Sequence, residues 1–122
     1  MEMKRNSYLM ILGGMLFCLV IGCATTQIIG GPIPPDGLMD GVYEGKATNW
    51  PVKVLARVKI QNQHITSIEI VEHRNGKGSP AEDMIPDRII EEQSTRVDAV
   101  SGATMSSRTI MNAVENAIQK AK

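Results

Sequence analysis

The sequence predicts an α+β fold: a small antiparallel sheet, made of a hairpin and the strand before it, packed by two helical segments. Three observations carry this. Two runs of alternating apolar and polar residues, 52–60 and 64–73, are separated only by Gln61-Asn62-Gln63, so each run presents one face to a core and the tight connection makes them a hairpin. Beyond Gly76 and Gly78 the period lengthens, and in residues 106–121 Ile110, Val114, Ala117, Ile118 and Ala121 fall on one helical stripe. All strands precede all helices, which favours α+β over a doubly wound sheet.

Taken in order, the first segment has a basic start, Lys4 and Arg5, and then an uncharged apolar run at 8–22. Such a run falls short of the ~20 residues of a membrane span and fits the apolar region of a secretory signal peptide. It closes on Val20-Ile21-Gly22-Cys23, which resembles a bacterial lipobox. That resemblance implies a lipoprotein signal peptide over 1–22, cleavage before Cys23, and lipidation of Cys23. The protein is then expected to be lipid-anchored in the cell membrane on its extracytoplasmic side. An uncleaved N-terminal anchor is the alternative and gives the same tethering.

Cysteine usage narrows the chemistry. Cys18 leaves with the signal peptide and Cys23 is consumed by lipid, so no thiol remains for a disulfide, an iron–sulfur cluster or thioether-linked haem. Redox chemistry would need an organic cofactor. Two histidines without a partnering cysteine make no metal site. Without residues 1–22 the chain has eleven Lys/Arg and twelve Asp/Glu, so nucleic-acid binding has no electrostatic support.

Residues 23–39, with Gly30-Gly31 and Pro32, Pro34 and Pro35, read as a flexible linker that would reach at most ~60 Å. The domain is expected over 40–122. Its first strand carries Val42 and Glu44 opposite Tyr43 and Gly45 and ends at Asn49-Trp50-Pro51. In the second, Val52, Val54, Ala56, Val58 and Ile60 share the core face. In the third, alternation sets Ile65, Ser67, Glu69 and Val71 against Thr66, Ile68, Ile70 and Glu72. His73 then reads as a solvated strand-end residue rather than one that approaches the edge of a bound cofactor, and His64 as a surface residue of the turn. Ser79-Pro80-Ala81-Glu82 has the form of a capping box with proline at the first helical position. Pro86 is expected to interrupt that helix before Ile89 and Ile90.

The chemistry concentrates in "DAVSGATMSS", residues 98–107, just before the last helix. It holds the hydroxyls of Ser101, Thr104, Ser106 and Ser107, together with Asp98 and the small pair Gly102-Ala103. A plain N-cap needs one hydroxyl only. A helix start also offers free N–H groups and the positive end of the helix dipole, which suit a phosphate. By spacing alone both readings stand.

The string "VDAVSGATMSS" resembles the signature of the FMN-binding domain found in the C and G subunits of sodium-pumping and Rnf-type respiratory complexes and in small exported electron-transfer lipoproteins. Asp98, Ser101, Gly102, Ala103 and Thr104 match its successive positions. The framework, roughly 40–121, is similar too. The resemblance implies FMN as cofactor, joined to Thr104 through a phosphoester by a flavin transferase. It further implies that Ser101, Ser106 and Ser107 hold the phosphate, that Gly102, Ala103 and Met105 line its approach, and that Asp98 belongs to the segment the transferase recognises. The function so implied is an electron carrier between a membrane oxidoreductase and an extracytoplasmic acceptor, with no separate catalytic group. A small flavin reductase acting on a soluble acceptor and a non-redox binding or structural lipoprotein are the alternatives.

Overall fold

The computed structural model describes residues 27–76 and 79–122. The expected signal peptide, 1–22, and Cys23 lie outside the described residues. Strands β1 (Gly41–Asn49), β2 (Val52–Gln61) and β3 (His64–Arg74) are followed by helices α1 (Ser79–Glu92) and α2 (Thr104–Gln119). The strands form an antiparallel meander in the order β1-β2-β3, with α2 packed on β1 and β2, and α1 on β3 and α2. The α+β fold expected from the sequence is the fold observed.

The central strand behaves as its alternation requires. Val52, Val54, Ala56, Val58 and Ile60 are all buried, while Lys53 and Lys59 are exposed. On the other face Arg57 meets Glu44 of β1 at 3.4 Å and Glu69 of β3 at 3.1 Å, an exposed ion-pair row worth at most about 1 kcal/mol per pair. The stripe on α2 is also as expected, with Ile110, Val114, Ala117, Ile118 and Ala121 buried and Met111 and Ala113 added. Each large aliphatic side chain buried here contributes roughly 1.5–3 kcal/mol.

The β2–β3 turn is made by Asn62 (φ 51) and Gln63 (φ 64), two left-handed residues of the kind a two-residue hairpin turn demands. Neither is glycine. Their cost is offset by hydrogen bonds from Asn62 N–H to Asp40 Oδ1 at 2.9 Å and from Leu38 N–H to Gln63 Oε1 at 3.0 Å. His64 is exposed, as expected.

Strand β3 departs from strict alternation. Ile60 pairs with Ile65 and Lys59 with Ser67, so Thr66 is an extra residue; Ala56 pairs with Ile70 and Leu55 with Glu72, so Val71 is another. Each bulge reverses the phase of the side chains beyond it. The core-facing set is therefore Ile65, Ile68, Ile70 and His73, which pair with Ile60, Val58, Ala56 and Val54.

Two further expectations are corrected. Helix α1 runs unbroken through Pro86. The proline withholds an N–H from the carbonyl of Glu82, but Ala81, Ile85 and Ile89, all at 0% exposure, anchor both halves. The described part of the expected linker, 27–39, is packed on the domain rather than free. Ile33 N–H donates to Gln93 O and Thr95 N–H to Gly31 O, both at 2.9 Å, and Leu38 is buried. Its backbone groups find partners in the turn after α1, and that is worth more than solvation in an open chain.

Candidate functional site

The hydroxyl-rich segment forms a turn and then α2. Ala103 N–H donates to Val100 O at 3.0 Å, and Gly102 between them has φ +81. This is the third position of a four-residue turn, where a type II geometry requires glycine. A Cβ on Gly102 would meet nothing within 4 Å, so the need is conformational rather than spatial. Ala103 is the N-cap of α2 and no side chain caps the helix. The first N–H groups of α2 thus keep their capacity to bind an anion.

Ser107 holds this turn from below. Its Oγ accepts from Val100 N–H at 3.0 Å and donates to Ala103 O at 2.7 Å, and the residue is fully buried. Ser107→Ala is expected to leave the buried Val100 N–H unpaired and to cost about 1–3 kcal/mol in urea denaturation. An unchanged midpoint would remove Ser107 from the turn's support.

A pocket of about 260 Å³ opens over the helix start, lined by Pro51, Val52, Asn75, Gly102, Ala103, Thr104, Met105 and Ser106. Asn75 ties β3 to the β1–β2 turn through a 3.1 Å bond from Nδ2 to Pro51 O, which closes one wall. Thr104 and Met105 are exposed there, and Ser106 is 4% exposed. Ser101 is exposed on the turn outside the lining. Asp98 lies in a different groove, with Arg96 and Arg108. The structure therefore gathers Gly102, Ala103, Thr104, Met105 and Ser106 at one pocket, puts Ser107 beneath it, and sets Asp98 and Ser101 outside its lining.

The residue that sequence reasoning misplaced is His73. Its side chain is 3% exposed; Nδ1 lies 2.5 Å from Glu82 Oε1 and Nε2 lies 3.0 Å from Ser106 Oγ. The expected solvated histidine is a buried one, because the bulge at Val71 turns it toward the helices. A signal was present: Ile68 and Ile70 have the opposite parity to Ile65, a phase slip that marks a bulge. Glu82, read as the end of a capping box, gives one carboxylate oxygen to this histidine. Met84 is 41% exposed, while Met111 is fully buried.

The model of the FMN-binding domain matches residues 49–119, from the end of β1 through α2, so it takes in the pocket, His73 and the whole hydroxyl motif. The chain belongs to the FMN-binding domain family. An uncharacterized protein of Treponema pallidum (strain Nichols) is 35% identical over 98 residues, 79% of this chain and 27% of the relative. The NADH:acrylate oxidoreductase of Vibrio harveyi is 38% identical over 47 residues, 38% of this chain and 5% of the relative. The chain thus spans about a quarter of the first relative's length.

FMN is the cofactor this family membership assigns, and the pocket fits it in kind. The uncapped start of α2 would supply N–H donors for its phosphate, and Pro51, Val52, Ala103 and Met105 would supply apolar surface for the rest. FMN brings electron storage and release, and the domain's own residues bind and orient it.

Proposed function

We propose that this protein is an exported, membrane-tethered flavoprotein that carries FMN phosphoester-linked to Thr104. It relays electrons between a membrane oxidoreductase and an extracytoplasmic acceptor. One observation supports the attachment point above the rest: Thr104 is the exposed first residue of an uncapped helix, inside the pocket of an FMN-binding domain. A hydroxyl placed there can be reached by a flavin transferase, and the phosphate then sits where the helix offers its free N–H groups. Covalent attachment suits an exported domain with two aromatic residues beyond residue 22, Tyr43 and Trp50, and correspondingly little surface for a tight reversible pocket.

The carrier reading is also supported by proportion. The segment shared with the NADH:acrylate oxidoreductase is 5% of that enzyme, so most of what that enzyme does lies in parts the shared segment does not reach. Tethering through Cys23 would leave residues 23–26 between the lipid and Gln27, whose carbonyl accepts a 2.8 Å bond from Asn112 Nδ2 of α2. Four residues reach at most ~14 Å, which would keep the domain within range of a membrane partner.

The test is co-expression of the full chain with an exported flavin transferase. The mature protein is expected to gain the mass of one FMN, to fluoresce on a denaturing gel, and to bleach when its membranes receive a reductant. A dark chain of unmodified mass refutes the covalent reading. Cys23→Ser is expected to move the protein from the membrane to the soluble fraction, and unchanged partitioning refutes the lipid anchor.

A further inference from the structure

Glu82, His73 and Ser106 form a continuous hydrogen-bonded chain from solvent to the pocket. Glu82 is 42% exposed by side chain and His73 is 3% exposed, while Ser106 is 4% exposed and lines the pocket with Thr104. The fold keeps room for this chain at a specific point. A Cβ on Gly76 would lie 2.0 Å from His73 Nε2 and 2.6 Å from Ser106 Oγ, so only glycine lets the backbone close over that contact.

The polarity of the chain has a consequence for an anion in the pocket. A carboxylate accepts only, so Nδ1 of His73 carries the hydrogen directed at Glu82. If Nε2 is bare, Ser106 must spend its single hydrogen on it and can show only lone pairs to the pocket. If Nε2 is protonated, it donates to Ser106 Oγ, and the Ser106 hydroxyl is free to donate outward. Phosphate oxygens accept, so they are matched by the second arrangement and repelled by the first.

We infer that His73 is a positioning residue that takes up one proton when the phosphate group of FMN settles at the start of α2, turning Ser106 from an acceptor into a donor. This rests on the same phosphate placement as the Thr104 reading, not on the covalent bond. The proton comes from solvent in the pocket by way of Ser106, whose Oγ passes its own hydrogen to Nε2 and takes the incoming one; a new Nε2–H bond forms, the Nδ1–H toward Glu82 stays, and no bond within FMN changes. Among the described residues, Glu82 of α1 is the charged group on the imidazole. Val52 and Val54 of β2, Pro51 of the β1–β2 turn, Gly76 and Ser106 contribute none. Asp98, Arg96 and Arg108 face the separate groove.

The experiment uses the mature chain expressed without flavin transferase, labelled with ¹⁵N-histidine and observed by NMR at neutral pH. The sequence has two histidines, and the exposed His64 serves as the internal reference. Adding FMN is expected to move the His73 Nε2 resonance from the bare to the protonated type, while riboflavin, which lacks the phosphate, leaves it unmoved. Backbone amide shifts at Met105 and Ser106 with an unchanged Nε2 overturn the inference but keep the phosphate placement. FMN that moves neither overturns both. In a fluorescence titration, the preference for FMN over riboflavin is expected to fall about tenfold in His73→Leu. An unchanged preference counts against the inference, and the wild-type spectrum decides it should that variant fail to fold.

Discussion

A Thr104→Ala chain is expected to fold with wild-type stability and to carry no covalent flavin after co-expression with a transferase. Thr104 is exposed and caps nothing, so truncating it should change stability by no more than about 0.5 kcal/mol. The loss of flavin should nevertheless be complete, because the neighbouring hydroxyls are committed or misplaced. Ser107 is buried and spends its Oγ on Val100 and Ala103. Ser106 is buried against His73. Ser101 is exposed but sits on the turn, outside the pocket lining. Ser101→Ala is therefore expected to retain fluorescence on a denaturing gel. A fluorescent Thr104→Ala chain, with the flavin mapped by peptide mass to another hydroxyl, would displace Thr104 as the attachment point.

Gly45→Val should be the most destabilising change in the sheet, although valine is a better strand former than glycine. A Cβ at position 45 would lie 2.0 Å from Ala113 O and 2.3 Å from Ala117 N. Those are backbone atoms of α2 and have no rotamer to yield. The helix would have to lift from β1, which would reopen the packing around Val114 and Ile118. Overpacking usually costs 1–3 kcal/mol, and a clash with helix backbone should exceed about 3 kcal/mol out of the 5–15 kcal/mol of a typical domain. Urea denaturation reads this directly. Thr48→Val, on an exposed position of the same strand, should shift stability by less than about 0.5 kcal/mol. A wild-type midpoint for Gly45→Val would mean that β1 and α2 are not in contact at that point.

Much of the frame is legible residue by residue. Strand β2 sits between two partners with one face on the helices, so its burial follows from period two alone, and all five of its inward positions are buried. Helix α2 spans the core for its whole length, so its stripe follows from period 3.6. The site is legible in part for a similar reason: the turn at Gly102 and the start of α2 are local structures, specified by the residues within them.

Strand β3 shows where that reasoning stops. Its two bulges arise from pairing with β2, a partner that periodicity within β3 does not contain, and they reverse which residues face inward. The continuation of α1 through Pro86 is likewise settled by what Ala81, Ile85 and Ile89 bury against, and the packing of 27–39 by carbonyls and N–H groups offered after α1. By itself the sequence determined the fold class, the core faces of β2 and α2, and the hydroxyl loop at a helix start, because each depends on neighbours along the chain. Only the tertiary structure decided that His73 joins Glu82 to Ser106, since that contact depends on a bulge, a glycine and two helices meeting across residues far apart in sequence.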